Sequence, residues 1–477
     1  MRPAAQRGLL PLRRAAQALL LAALCLAGQA SAQTGAGTAG AAEAGDWLAI
    51  VGGRLIDGYG QAPIDDAVVL VRGNRIVQAG PRAQVQVPAG ARVVDASGRS
   101  VLPGLIELHA HLLTVGHGDY PRWFQWLEQH RDQYPPQRIL ELSARQLLLS
   151  GVTTAVDLGG PLEDSLLIRD RIARGEVAGP RLLVSGPWIA PRPFLFPDSS
   201  TRAVGSSAKA AAQATEANIR AGVDVIKTQG GLDYAQYKAV ADAAHRHGLK
   251  VHAHINDEAA IFDALKAGID VLHHVGSGAS PPYSDALVRA VVTSRAAVVP
   301  TAAASGILPA TLAFPARLQD PVLRAQFPDE LWDELQASFR DFHRLGYFRN
   351  RDRAERFRAA SLRQWLESGA LLGIGTDNGV PLNFHTDALW RLAKLYTDLG
   401  LEPLQAVSLL TRVNAGILGR AQQIGTIEPG KLADLIVVRG NPAADIAALA
   451  DVEIVVKDGA VHRGALAESF NPGNIHP

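Results

Sequence analysis

Leu102-Pro103-Gly104-Leu105-Ile106-Glu107-Leu108-His109-Ala110-His111 is the strongest local signal in the chain. It reads as a short apolar strand ending in two histidines two residues apart. Residues i and i+2 of a strand point to the same side, so His109 and His111 project together at its C-terminal end. Two imidazoles on one face suit zinc or a similar metal. A His-x-His pair alone is often only structural. The strand end is what gives this one weight.

Working outward, the middle of the chain alternates short apolar runs with helical patterns, which argues for βα units and a parallel sheet. Candidate strands end near His111, Leu158, Ser185, Lys227, His254, His274, Pro300 and Asp377. One intervening helix should run from Tyr234 to His247 and stop at Gly248. The fold class expected is α/β, a (β/α)8 TIM barrel over residues 104–424, whose chemistry would sit at the C-terminal ends of the strands. The stretch from Thr301 to about Ala370 is too long for one βα connection and implies a helical insertion at about 301–370. Short β-type runs also occupy both ends of the chain. Ala67-Val68-Val69-Leu70-Val71 and Leu435-Ile436-Val437-Val438 are examples, and Asp458-Gly459 reads as a hairpin turn. Residues 46–103 and 425–470 are therefore expected to form one small composite β-sandwich domain.

The first 32 residues read differently. Arg2, Arg7, Arg13 and Arg14 precede an apolar run from Ala15 to Ala27, and Ala30-Ser31-Ala32 follows as a small-x-small cleavage signature. This is the pattern of a signal peptide over residues 1–32, and it implies an exported, periplasmic or secreted protein. The apolar run is short of the roughly 20 residues a membrane span needs. Residues 33–45 are Gly/Ala/Thr-rich and read as a flexible leader. Losing residues 1–32 takes the formal net charge from +1 to −3 and removes Cys25, the chain's one cysteine. No thiolate is then left to hold a metal, so His, carboxylate or a modified side chain must do it. No basic stripe suggests nucleic acid, and no membrane partner is expected after cleavage. A homo-oligomer is compatible with the composition.

Four more strand ends carry ligand-type residues: Lys227, His254, His274 and Asp377. A lysine closing the apolar strand Val223-Asp224-Val225-Ile226 would be buried, which is costly for a free ammonium. It could be paired with a carboxylate. Alternatively it could carry CO₂ as a carbamate whose two oxygens bridge two metals. Two imidazole pairs, one bridging anion and one carboxylate are enough for a two-metal site. Their joint placement at strand ends one, four, five, six and eight makes coincidence a poor explanation.

These residues resemble the amidohydrolase superfamily, in its imidazolonepropionase-like and metal-dependent prolidase-like branch. The resemblance is carried by Pro103 through His111, Ile226-Lys227, Ala267-Gly268-Ile269-Asp270 leading to His274, and Gly375-Thr376-Asp377. It continues through Asn414-Ala415 and Gly425-Thr426-Ile427-Glu428-Pro429-Gly430-Lys431-Leu432-Ala433-Asp434-Leu435. The resemblance implies two divalent metal ions, zinc first among them. His109, His111 and Asp377 would hold the more buried metal. His254 and His274 would hold the second, and the Lys227 carbamate would bridge both. His252 faces the same way as His254, whose distance to His274 in sequence matches the family spacing. Two departures stand out. His273 occupies a position where the family usually has Glu, and Asn256 one where it often has His.

The chemistry implied is hydrolysis of a small-molecule amide. A water bridging two cations loses a proton near neutral pH and becomes the nucleophile. Asp377 would relay its proton to the leaving amine. A linear amide, such as a dipeptide or N-acyl amino acid, is the first substrate class. A cyclic amide, a lactone or other ester, or a deamination is the second. Deaminases and imidazolonepropionases usually use one metal and lack the bridging lysine, so Lys227 favours the first. A non-catalytic binding protein would not need six intact ligand positions. His117, Tyr120, Arg122 and Trp123 follow the first barrel strand and are candidates to line the pocket, with Arg192, His252, His273 and His385. Arg122 or Arg192 could pair a substrate carboxylate. The insertion is rich in aromatics: Phe314, Phe327, Trp332, Phe339, Phe342, Tyr347, Phe348, Phe357 and Trp365. These either pack its helices together or form a lid over bulky apolar substrates.

Overall fold

The computed structural model describes residues 47–193, 198–278, 280–302, 317–340 and 351–463. Residues 1–45, expected as a signal peptide and leader, and Phe314, Phe342, Tyr347 and Phe348, lie outside them. In chain order the strands begin with β1 Trp47–Leu55, β2 Ile64–Arg72, β3 Arg75–Pro81, β4 Arg92–Asp95 and β5 Arg99–Pro103. Then follow β6 Leu105–Ala110, β7 Val152–Asp157, β8 Arg181–Val184, β9 Trp188–Ala190, β10 Thr201–Ala203, β11 Ile226–Thr228, β12 Val251–His254, β13 Val271–His273 and β14 Ala297–Val299. The C-terminal part adds β15 Leu435–Arg439, β16 Val452–Lys457 and β17 Ala460–Arg463.

Strands from the two ends share one eight-stranded sheet, ordered β17-β16-β15-β5-β1-β2-β3 with β4 beside β1. The seam is β15 against β5, antiparallel, with Ile436 opposite Leu102. Side chains alternate across a strand. Leu435 and Val437 accordingly pack with Leu48, Ile50 and Val69 on one face, while Ile436 and Val438 pack into the main core on the other. Asp458 and Gly459 both have positive φ, 49° and 76°. That is the geometry of a two-residue hairpin whose twist matches its strands. A Cβ on Gly459 would sit 2.0 Å from the Gly73 carbonyl oxygen, so this tip tolerates no side chain.

The parallel strands form a TIM-barrel-like α/β body. β6, β7 and β8 pair in parallel, as do β11, β12, β13 and β14. Asp224 N–H donates to the Val184 carbonyl (2.9 Å), linking β8 to the run entering β11. Helices such as Pro136–Leu149, Tyr234–Arg246 and Glu258–Ala267 connect successive strands. Tyr234–Arg246 begins at a capping box of Asp233 and Gln236 and gives way to Gly248 at φ 71°. Its mechanism is the expected one: reciprocal satisfaction of orphan donors at the start, a left-handed glycine at the end.

The run ending at Asp377 is the exception. It carries only isolated bridges, Leu372 to Val298 and Asn378 to Ala110. Main-chain bonds hold it at both ends, from Gly373 N–H to the Val298 carbonyl (2.9 Å) and from Asp377 N–H to the His109 carbonyl (2.9 Å), and side chains supplement them. Asn414 Oδ1 accepts from Ile374 N–H at 3.0 Å. Its Nδ2 donates to the carbonyls of Ile374 and Ile106, both at 2.8 Å. Gly375 permits the close approach, since a Cβ there would lie 3.1 Å from His109 Cβ.

Between β14 and this run lie the helices Pro321–Arg324, Asp329–Ser338 and Arg351–Glu367. Phe327, Trp332, Phe339 and Trp365 are buried there, so these four rings pack inward. Among the described residues no helix is long and apolar enough to cross a membrane.

Candidate metal centre

Strand alternation builds the site. Ile226, Val251, Ala253 and Leu272 point outward into the main core under the helices. Their neighbours Lys227, His252, His254 and His273 must then point into the interior. His274 would alternate outward again, but its φ is +71°. That left-handed turn swings a second imidazole inward. Thr301 (φ 50°) and Asp377 (φ 60°) share the same unusual conformation. For non-glycine residues each such turn costs of order 1–3 kcal/mol, and such strain gathers where a site needs it.

His109 Nε2 and His111 Nε2 lie 3.3 Å apart. Asp377 Oδ1 sits 3.3 Å from the first and 3.1 Å from the second. One ligand atom from each residue falls within 4.8 Å of the others, a cluster able to hold a metal ion. His274 Nδ1 lies 4.0 Å from Asp377 Oδ2 and 2.8 Å from Thr301 Oγ1, and its buried Nε2 has no hydrogen-bond partner among the described residues. The His254 ring lies 4.1 Å from the His274 ring, centroid to centroid. Lys227 is 1% exposed, and its Nζ has no hydrogen-bond partner among the described residues. Lone-pair donors converging on one point, with orphaned buried atoms around them, fit divalent metal.

Burial pushes the Lys227 ammonium down to about 7, with Asp377 opposing. For Asp377 burial acts upward, but the His111 hydrogen bond and the charges of His274, His111 and Lys227 outweigh it, leaving the carboxyl at about 2. His254 is lowered to about 4, first by burial and then by Lys227. Burial also holds His109, His273 and His274 well below the ordinary imidazole range. Neutral rings beside an ionised carboxylate are the protonation states that ligation requires.

The remaining residues singled out from sequence are spread more widely. His252 and His273 lie beneath the cluster, with His252 Nδ1 2.9 Å from His273 Nε2. His385 is buried behind it, bonding Asn378 Oδ1 at 3.0 Å and the Thr114 carbonyl at 2.9 Å. His117 Nε2 meets Glu334 Oε1 at 3.1 Å. Arg122 grips the same carboxylate with Nε and Nη2 at 2.6 and 2.7 Å. Its fork thus ties the segment after β6 to the helix Asp329–Ser338. Trp123 is fully buried, stacked on Trp126 at 5.6 Å, with Nε1 donating to the Leu113 carbonyl at 3.0 Å. Tyr120 packs with Trp188 and Phe124. Arg192 is exposed.

Three residues escaped the sequence reading. Glu107 accepts from the backbone N–H groups of His109 (2.8 Å) and Thr376 (2.9 Å) and from Thr376 Oγ1 (2.7 Å). It therefore ties the His109 strand to the Asp377 run. Burial pushes its carboxyl up to about 8 against those bonds. The cue was a lone carboxylate in an apolar strand; alternation could not place it, because the strand's register shifts between Glu107 and Ala110. Trp188 sets its ring 5.7 Å from His111 at 81°, walling that side. Thr301 orients His274. Neither carried a sequence cue.

A histidine pair at the end of the first parallel strand, a carboxylate on the bridged run beside it and a TIM-barrel-like body define a metal-binding hydrolase. The chain belongs to the amidohydrolase family, whose model, Amidohydrolase family, matches residues 100–462; it is a hydrolase of carbon–nitrogen bonds. It is similar to an imidazolonepropionase of Porphyromonas gingivalis, 24% identical over 412 residues, covering 78% of this chain and 83% of that protein. A shorter match is 36% identical over 154 residues to a 5-methylthioadenosine/S-adenosylhomocysteine deaminase of Symbiobacterium thermophilum. It covers 29% of this chain and spans only 35% of that relative's length. Among solved structures, a putative prolidase from Bifidobacterium longum superposes with a TM-score of 0.69 at 26% identity, covering 90% of this chain and 97% of that one.

Proposed function

We propose that this chain hydrolyses a linear amide, of the dipeptide or N-acyl amino acid type, at a two-metal site. His109, His111 and Asp377 would hold one ion, His254 and His274 the other, and Lys227, as its carbamate, would join both. The observation that carries this is the Lys227 amine, buried among ligand-type residues with its Nζ unpartnered among the described residues. An uncharged amine there can take up CO₂, and the resulting anion would give the two ions a shared ligand. Two bound divalent ions would supply Lewis acidity for the scissile carbonyl and for the attacking water.

The chain's own residues do the rest. The ionised Asp377 takes a proton from the attacking water at a carboxylate oxygen and returns it to the leaving nitrogen as the carbon–nitrogen bond breaks. Glu107 and Asn414 keep the Asp377 run against the His109 strand. Trp188 shields the His111 side from solvent. The resemblance to a putative prolidase supports a dipeptide-type substrate. A ring amide is the second reading, supported by the length of the match to imidazolonepropionase. The same proposal takes the parallel strands as a closed eight-stranded barrel, the sheet from both chain ends as a composite β domain, and the chain as exported after cleavage at Ala32.

Assay of the zinc-loaded protein against dipeptides, N-acyl amino acids, ring amides and lactones tests this. The linear amides should give the highest kcat/KM. Turnover confined to ring amides or to deamination would replace the proposal with the second reading.

A further inference from the structure

Beneath the ligand cluster three imidazoles stand in a row. His109 Nδ1 lies 2.8 Å from His273 Nδ1. His273 Nε2 lies 2.9 Å from His252 Nδ1. All three rings are fully buried, and His252 Nε2 at the far end has no hydrogen-bond partner among the described residues. A neutral imidazole has one donor nitrogen and one acceptor nitrogen. The row therefore has only two self-consistent proton arrangements. In the first, His109 carries its proton on Nδ1 and donates to His273 Nδ1. His273 is then protonated on Nε2 and donates to His252 Nδ1, and His252 is protonated on Nε2. The second reverses every bond and puts a proton on His109 Nε2, the atom that faces His111 and Asp377. Only the first leaves His109 Nε2 a lone pair for a metal.

We infer that His273 and His252 form a buried relay that fixes the tautomer of His109, making them positioning residues for the metal site although neither faces the ligand cluster. The inference rests on His109 being a metal ligand. Outer partners of ligating histidines usually act by accepting the ring's other N–H. Here a second histidine takes that part, and its own orientation is set by a third. The device follows from the strands: His252 and His273 sit on adjacent parallel strands, β12 and β13, with inward parity. The bulk of His273 matters less than its acceptor. His273→Asn keeps an acceptor near the Nδ1 position, whereas His273→Leu removes it. His252→Leu leaves the His273 Nε2–H without its acceptor and frees that ring to turn over.

The test uses full-length protein, zinc as the probe, and two readouts apart from activity. Zinc affinity by competition with a chelating dye should fall about 10–100-fold in His273→Leu and stay near wild type in His273→Asn. His252→Leu should weaken zinc binding, and the double variant His252→Leu/His273→Leu should bind no worse than His273→Leu, since the lower link acts through the upper. Imidazole ¹⁵N shifts of the zinc-loaded protein should show His273 and His252 both protonated on Nε2. Wild-type affinity in a folded His273→Leu, equal loss in the Leu and Asn variants, or an Nδ1-protonated His273 in the loaded protein would overturn the relay. Failure of the wild type to bind zinc would instead overturn the metal reading on which it rests.

Discussion

In the metal-free protein, replacing Lys227 with Met should be stabilising. Burial lowers the Lys227 pKa from 10.5 to about 7. In the unfolded chain the same amine keeps its proton up to about pH 10.4. Between about pH 7 and pH 10.4 the unfolded state therefore binds more protons than the folded one, and stability rises with pH across that window. Each pH unit is worth ~1.4 kcal/mol, so the metal-free wild type carries a penalty of ~4–5 kcal/mol at about pH 7 that vanishes near pH 10.4. Met fills similar space without a charge. Urea unfolding of chelated, CO₂-depleted protein, followed by tryptophan fluorescence, should find Lys227→Met the more stable at about pH 7, with the gap closing by about pH 10. Zinc and bicarbonate should reverse the order, because Met offers no anion to bridge the ions. A gap independent of pH, or a metal-free wild type more stable than the variant at neutral pH, would refute the reasoning.

Asp377→Asn keeps the shape but removes the proton acceptor; kcat should fall by about 10² or more with a smaller change in KM, and unchanged turnover at neutral pH would assign the proton transfer elsewhere. Asn414→Ala should lower stability by ~3 kcal/mol or more in urea unfolding, since it strands buried backbone groups of Ile374 and Ile106; a loss under ~1 kcal/mol would mean that the Asp377 run does not depend on it. Trp123→Ala should cost ~3–5 kcal/mol of stability as a buried aromatic and leave the ratio of kcat/KM for bulky and small N-acyl amino acids unchanged; a shift in that ratio with little loss of stability would make Trp123 a substrate contact.

The regular, alternating parts were the most legible in the sequence. The shared side of His109 and His111, and the inward placement of Lys227 and His254, follow from a period of two. So does the inward placement of His252 and His273. The Asp458-Gly459 hairpin is fixed by local backbone preference. Alternation could not place His274 and Asp377 fully, because both depart from strand geometry through positive φ. Nor could it show that Asn414 and Glu107 help to hold the Asp377 run, since those bonds join residues far apart in the chain. Arg122 and His117 read as pocket residues from their place after the first barrel strand. Both hold Glu334, 212 and 217 residues away, a pairing no local pattern records. Trp123 carried an aromatic cue that did not distinguish a lid from a core.

The most direct test is metal-reconstitution stoichiometry. Chelated protein titrated with zinc in bicarbonate buffer, with bound zinc and linear-amide hydrolysis read on the same samples, should saturate at two ions per chain with activity rising to its maximum by the second. Protein that binds no zinc, or that hydrolyses its substrate at full rate without metal, would contradict the account.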